Sequence, residues 1–236
     1  MNEEIIKNIA SELNVKIEYV KATLELLEED KTVAFIARYR KEATGGLDEE
    51  QIRFIEEKYQ YQVSLRKRKD DVIRLIAEKG LLTNELENSI NEATKLIEVE
   101  DLYRPYKEKK KTKATEAIAL GLEPLADTIL MLPLSGNKEE IVAKYLNDKV
   151  KKYDEAIKQA LYIVAEKISD NANFRKHIRE ASLKYGTITA MKKKNDLDSE
   201  EKYKLYYEYS AKIAYIKPHN VLALNRAEND NVINVN

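Results

Sequence analysis

Apolar residues recur at helical spacing from the start of the chain. Ile5, Ile6, Ile9, Ala10 and Leu13 share one face, Asn14 interrupts it, and Ile17, Val20, Leu24 and Leu27 begin a second. Two short helices with so few residues between them must pack as a helical hairpin, because neither can cover its own apolar stripe. A third apolar stretch, Val33 to Ala37, has Thr32 placed as N-cap and stops at Gly45-Gly46. Residues 1–46 therefore have the size of a helix-turn-helix unit, which many small bundles share.

Asp48 followed by Gln51 reads as a capping box and opens the longest helical signal, over 48–79. At 1.5 Å per residue that helix is about 48 Å long. Ile52, Ile55, Tyr59 and Val63 form one apolar zone; Val72, Ile73, Ile76 and Ala77 form another. Between them Arg66-Lys67-Arg68-Lys69-Asp70-Asp71 is charged on every side, a stretch expected to bridge solvent and to be where the helix bends. Thr83 starts a further helix through Leu86, Ile90, Ala93 and Ile97. At Pro105 the pattern breaks, and because proline disfavours helix at the preceding residue, Asp101 to Tyr106 is expected to run extended.

Short helices resume at Ala114–Leu120, after Pro124 and after Asn137, and the body at 113–186 is completed by helices at Ala156–Ile168 and Phe174–Tyr185. Past Gly186 the character changes. Thr187-Ile188-Thr189 favours a strand, Asp198-Ser199-Glu200-Glu201 is expected to cap a Tyr-rich helix reaching Tyr209, and Val221–Leu224 with Val232–Val235 reads as the two arms of a β-hairpin. The expectation is a mainly α multi-helix bundle over 1–210, with a small β-hairpin segment at 211–236 that begins a further domain.

Composition supports that reading. Of 236 residues, 43% are hydrophobic and 35% charged, and only six are Gly and four Pro, too few for a turn-rich β sandwich. Without Cys the chain offers no disulfide, no thiolate nucleophile and no Cys-ligated zinc. The first residues lack the basic and apolar regions of a signal peptide, and no apolar window approaches a membrane span, so a cytoplasmic protein without membrane partners is expected. Forty-one Lys and Arg against 42 Asp and Glu leave a net charge of -1. Any basic surface must be local.

Candidate chemistry is correspondingly narrow. His177 and His219 have no metal-ligand spacing, Glu98, Glu100 and Asp101 form only a short acidic cluster, and no phosphate-cradling Gly motif or nucleophile elbow occurs. No catalysis, cofactor or metal is expected. The basic segments carry more. From Arg104 to Lys113 the cations Arg104, Lys107, Lys109, Lys110, Lys111 and Lys113 face one Glu, with Tyr103 and Tyr106 interleaved. Concentrated cations release the counterions condensed on phosphates, and adjacent rings stack on unpaired bases; a solvated linker would show the same composition. Arg38, Arg40 and Lys41 form a second candidate at the end of the third helix, where a helix-turn-helix unit would read nucleic acid and where helix-end electrostatics alone would also collect cations. Arg66–Lys69 and Lys192–Lys194 read as solvated faces, and the tyrosines, 15 of the 18 aromatics, as amphipathic packing.

At Phe35-Ile36-Ala37-Arg38-Tyr39-Arg40-Lys41-Glu42-Ala43-Thr44-Gly45-Gly46-Leu47-Asp48 the sequence resembles the Tex family of bacterial transcription accessory proteins. The likeness returns at Glu100–Lys107, Thr112–Ala114, Gly121–Ala126 and Val221–Arg226, in order along the chain. It departs at Ala227, where the family pattern leads one to expect Gly. The resemblance implies the N-terminal helical region of a factor linked to transcription and RNA, ending about where an RNase H-like domain begins. Helix-hairpin-helix elements and an S1 domain would follow. It also implies two partner classes: nucleic acid, RNA or DNA, bound weakly by a scaffold; and, alternatively, the downstream domains or transcription machinery, bound by an interaction module.

Overall fold

The computed structural model describes residues 1–108, 110–131, 137–194 and 197–236, which divide into two units, Met1–Lys107 and Glu108–Asn236. In the first unit, α1 (Glu3–Leu13), α2 (Ile17–Glu28), α3 (Val33–Tyr39) and α4 (Lys41–Thr44) precede the long α5 (Glu49–Glu78), followed by α6 (Asn84–Glu92) and α7 (Leu96–Tyr103). Local signals start these helices as expected. The Thr32 hydroxyl accepts from the Phe35 N–H, Asp48 and Gln51 exchange both bonds of a capping box, and the Thr83 hydroxyl accepts from the Leu86 N–H. Gly45 ends α4 at φ +68°, with the Tyr19 ring lying where a Cβ would stand, 2.3 Å away. Only glycine suits both the backbone and the close approach.

Helix α5 serves two cores. Ile52 and Ile55 join Ile6, Ile9, Val20 and Ile36 beneath α1–α3, whereas Leu65, Val72 and Ile76 join Ile90 and Val99 beneath α6 and α7. Each such side chain, fully buried, stabilises the fold by about 1.5–3 kcal/mol. Between the cores α5 continues without interruption from Glu49 to Glu78. Its charged middle does more than face solvent: Arg68 Nε donates to Glu100 Oε1 at 2.6 Å, Lys69 Nζ to the Asn91 carbonyl at 2.7 Å, and Arg66 stands 3.9 Å from Glu4.

The helix expected from Thr83 through Ile97 is two helices. It stops at Glu92, and α7 restarts at Leu96, where Glu98 Oε2 accepts from the N–H groups of Thr94 and Lys95. The extended segment expected at 101–106 is also corrected. Helix α7 runs to Tyr103 and a 3-10 turn covers Arg104–Tyr106, with Pro105 in its first positions. A first-turn proline lacks only an N–H that would have no helical partner, and burial of Tyr103 together with the Lys79 bond to the Tyr106 carbonyl (2.7 Å) holds the turn.

The second unit contains α8 (Lys113–Ala119), α9 (Glu123–Leu130), α10 (Lys138–Ala143), α11 (Tyr153–Ser169) and α12 (Ala172–Tyr185), then β1 (Thr187–Lys192), β2 (Glu208–Lys212), α13 (Pro218–Asn229) and β3 (Ile233–Val235). Ala156, Ala160 and Ile163 of α11 pack on Ala117, Leu122, Leu125 and Ala126. The strands form an antiparallel sheet in the order β2-β1-β3, with Thr187 opposite Lys212 and Lys192 opposite Ile233.

A β element near the end is therefore present, built differently from the expected hairpin at 211–236. Val221–Leu224 lies in α13, started by Pro218, and only 233–235 is strand. Leu224 and Ala227 fall on one helical face and bury against Val232, Ile233 and Ala190, which a hairpin arm would not allow. Ala227 thus sits inside a helix, fully buried, rather than at a turn. The Tyr-rich helix expected after Asp198 is replaced by a 3-10 turn at Lys204–Tyr206 and by β2. Asp198 does cap, accepting from the Lys202 and Tyr203 N–H groups, but pairing with β1 claims the residues beyond. Among the described residues no helix is long and apolar enough to cross a membrane.

Candidate nucleic-acid interface

The two basic segments meet different surroundings. In α3 the inward positions are Ile36 and Ala37, which turns Arg38, Tyr39 and Arg40 outward, with Lys41 opening α4. Tyr39 is 66% exposed, its ring 5.3 Å from that of Phe35. The Arg40 guanidinium lies 5.1 Å over the Phe35 ring and donates to the Tyr39 carbonyl. No ion pair engages Arg38, Arg40 or Lys41 among the described residues.

Residues 101–107 are the opposite case. Tyr103 is buried, with Arg68 and Lys107 lying 5.4 and 5.3 Å over its ring. Glu100 accepts from both cations, at 2.6 Å from Arg68 and through a close contact with Lys107. The Arg68 bond holds the Glu100 carboxyl below its usual range, aided by Lys107 and opposed by burial. Tyr106 is half-buried and packs on the same core. Arg104 is exposed but has a partner of its own. The two tyrosines expected to stack on bases are structural, and Lys107 is neutralised.

Beyond Lys107 the segment belongs to the second unit. Lys109 lies outside the described residues. Lys110 is exposed with no ion pair among the described residues, Lys111 stands 3.2 Å from Glu116, and Lys113 lies 5.1 Å over the Tyr162 ring. The Thr112 hydroxyl accepts from the Thr115 N–H, so α8 is capped by its own chain. Within the first unit, 38–41 follows Ile36 and Ala37, which share a core with Ile52 and Ile55, while 104–107 is tied to Arg68 and Lys79. At 1.5 Å per residue these points along α5 and its C-cap are about 20–40 Å apart. The structure does not gather them.

The acidic cluster is dispersed into separate structural roles: Glu98 caps α7, Glu100 holds two cations, and Asp101 is buried with partners of its own. Among the described residues no group of three or more His, Cys, Asp or Glu is placed to hold a metal. His177 and His219 are both exposed, on α12 and in the first turn of α13.

A third cationic surface escapes a reading based on charge density. Helix α12 has no buried residue, and Phe174, Ile178 and Tyr185 are each more than half exposed. Where α12 passes into β1, Lys184 precedes the Tyr185 carbonyl that Lys212 bonds, Lys217 follows five residues after Lys212, and none of the three has an ion pair among the described residues. The signal in the sequence is a lack: neither 181–194 nor 209–227 contains an Asp or Glu.

Residues 3–77 match the Tex-like protein N-terminal domain family and residues 135–236 match the Tex central region-like family. Among similar proteins, the uncharacterized protein YdcI of Bacillus subtilis is 48% identical over 97% of this chain and 32% of its own length. The transcriptional accessory protein Tex of Neisseria gonorrhoeae is 34% identical over 98% of this chain and 30% of its own. The S1 RNA-binding domain-containing protein 1 of Homo sapiens is 26% identical over the whole chain and 24% of its own. The chain thus spans about a third or less of the length of the curated relatives it matches.

Proposed function

Because the chain belongs to the Tex family and corresponds to the N-terminal region of a Tex-like transcription accessory protein, we propose that it is a non-catalytic scaffold that contacts nucleic acid through its phosphates. The observation that carries this reading is the end of α3, where Arg38, Arg40 and Lys41 are exposed and no carboxylate among the described residues pairs with them. Three exposed cations give weak, salt-sensitive attachment with little sequence readout, since phosphate contacts position without specifying. The relatives whose names refer to transcription and to RNA binding support the same reading.

Fluorescence anisotropy of the chain with labelled single-stranded RNA and duplex DNA, at about 50 and 200 mM salt, tests it. Binding that weakens at the higher salt, and weakens again in the Arg38→Glu/Arg40→Glu/Lys41→Glu variant, is the expected outcome. Absence of binding at low salt removes the reading.

A protein-interaction module is the second reading, and α12 favours it, because a helix with exposed Phe174 and Ile178 and no buried residue invites a protein cover. Hydrogen exchange across 172–185 separates the two. Slower exchange when the remaining two-thirds of the YdcI relative is added in trans supports docking; unchanged exchange removes it.

A further inference from the structure

The junction of α12 with the sheet places aromatic rings beside cations that have no ion pair among the described residues. Tyr185 ends α12, Gly186 follows, and β1 starts at Thr187, opposite Lys212 of β2. The Ile213 N–H donates to the Gly186 carbonyl at 3.0 Å, extending the ladder past the end of β1, so the segment carrying Tyr215 runs beside the one carrying Lys184 and Tyr185. Tyr185 is 66% exposed and Tyr215 84%. These are rings that the fold does not use for packing.

The corner is built rigidly. A Cβ on Gly186 would meet the Ser182 carbonyl oxygen at 2.4 Å and Ile213 Cδ1 at 2.8 Å, so glycine permits the close approach that seats the end of α12 on the β2 side. Lys212 Nζ donates to the Tyr185 carbonyl at 3.2 Å, a cation at a helix C-terminus, where its charge is favoured. Lys184 Nζ lies 5.1 Å from the centre of the Tyr185 ring, and Lys217 follows Tyr215 by two residues. Toward the far end of β1 the picture changes. Lys192 lies 4.2 Å over the Tyr207 ring, and Tyr207 bonds Asp198, so carboxylate chemistry returns there.

We propose that this corner, with Tyr185 and Tyr215 as stacking faces and Lys184, Lys212 and Lys217 as phosphate contacts, binds single-stranded nucleic acid. The proposal rests on the nucleic-acid reading above, and adds to it a second site and a strand preference. Exposed rings beside unneutralised cations suit unpaired bases on a flexible backbone, because every base offers a face and stacking is sequence-tolerant. A duplex keeps its bases stacked inside and can use only the lysines. An acidic protein segment would satisfy the lysines too, but would leave the two exposed rings without stacked partners.

The test is anisotropy of the intact chain with a labelled oligouridylate and with a duplex of equal length, at about 50 and 200 mM salt. Single strand is expected to bind more tightly than duplex. Tyr185→Ala/Tyr215→Ala should lose about thirtyfold or more in single-strand affinity, twice the lower end of base–aromatic stacking, and Tyr185→Phe/Tyr215→Phe should restore it. Lys184→Glu/Lys212→Glu/Lys217→Glu should flatten the dependence of log affinity on log salt by about 2, at roughly 0.7 per lost phosphate contact. An unchanged thermal melt shows that each variant is folded. Oligouridylate affinity unaltered by both the ring and the lysine variants, while the Arg38/Arg40/Lys41 variant abolishes it, overturns this site and leaves the broader reading intact. Failure of the unsubstituted chain to bind either probe overturns both. Equal affinity for duplex and single strand, with no loss on ring removal, overturns the stacking role and with it the proposal.

Discussion

Residues 104–107 and the corner at 184–187 with 212–217 are both Tyr- and cation-bearing stretches, and folding treats them in opposite ways. In the first, Glu100 comes from the preceding turns of α7 and Arg68 from α5, so Lys107 is paired and Tyr103 is sealed between two cations. In the second, two segments free of Asp and Glu are brought side by side, and among the described residues no ion pair engages Lys184, Lys212 or Lys217. Charge density along a sequence therefore measures little of the charge a surface presents. What counts is whether the partners brought in by folding carry the opposite sign.

The comparison can be broken at several points. The largest effect is expected from Gly186→Ala, whose added methyl group meets the Ser182 carbonyl and Ile213 and costs about 1–3 kcal/mol, as overpacking does. Denaturant unfolding measures the loss, and single-strand affinity should fall with it while that of the α3 end is retained. Next comes Glu100→Gln, which removes the charge that Arg68 and Lys107 share. A destabilisation of about 1–2 kcal/mol is expected for charged hydrogen bonds that are partly exposed. The same change frees Lys107 and Arg68 of α5, so RNA affinity should rise slightly as stability drops, a combination that a merely structural role for those cations would not give.

A pH-dependent effect sharpens the contrast within the sheet. Burial alone would push the Asp198 carboxyl up, but the Tyr203 N–H, the Tyr207 hydroxyl and the Lys202 N–H outweigh it and hold the group below the usual carboxylate range. A depressed folded value stabilises the native state at neutral pH and is lost as pH falls through that value. Asp198→Asn should therefore be less stable than the parent near neutrality, with the gap narrowing below about pH 4 in thermal melts across pH. It should also extend the uncompensated field toward Lys192. The smallest effect belongs to Lys111→Ala. Its ion pair with Glu116 joins two mostly exposed side chains, so unfolding should shift by less than about 0.5 kcal/mol.

The fold was legible where its causes are local. Thr32, Asp48 with Gln51, and Thr83 act on N–H groups three residues away, so the starts of α3, α5 and α6 could be read directly. Elements decided at a distance were not. Val221–Leu224 is a short apolar run that fits strand or helix equally well, and burial of Leu224 and Ala227 against the sheet settles it as α13. Tyr209 and Ala211 alternate with polar neighbours as a strand should, but the Asp198 cap pointed to a helix until β1 supplied a partner. For the candidate site, the cations of 38–41 and 104–113 were visible as charge. Glu100 was visible too, yet only the packing of α7 on α5 shows that it serves Arg68, 32 residues away.

Ultraviolet crosslinking of the intact chain to oligouridylate, with crosslinked peptides sequenced, tests most directly whether unpaired cations and free rings decide where the strand lies. Crosslinks at Tyr185 and Tyr215, and none at Tyr103 or Tyr106, are the expected result. Crosslinks concentrated at Tyr103 and Tyr106, with the 184–217 corner unmodified, would contradict it.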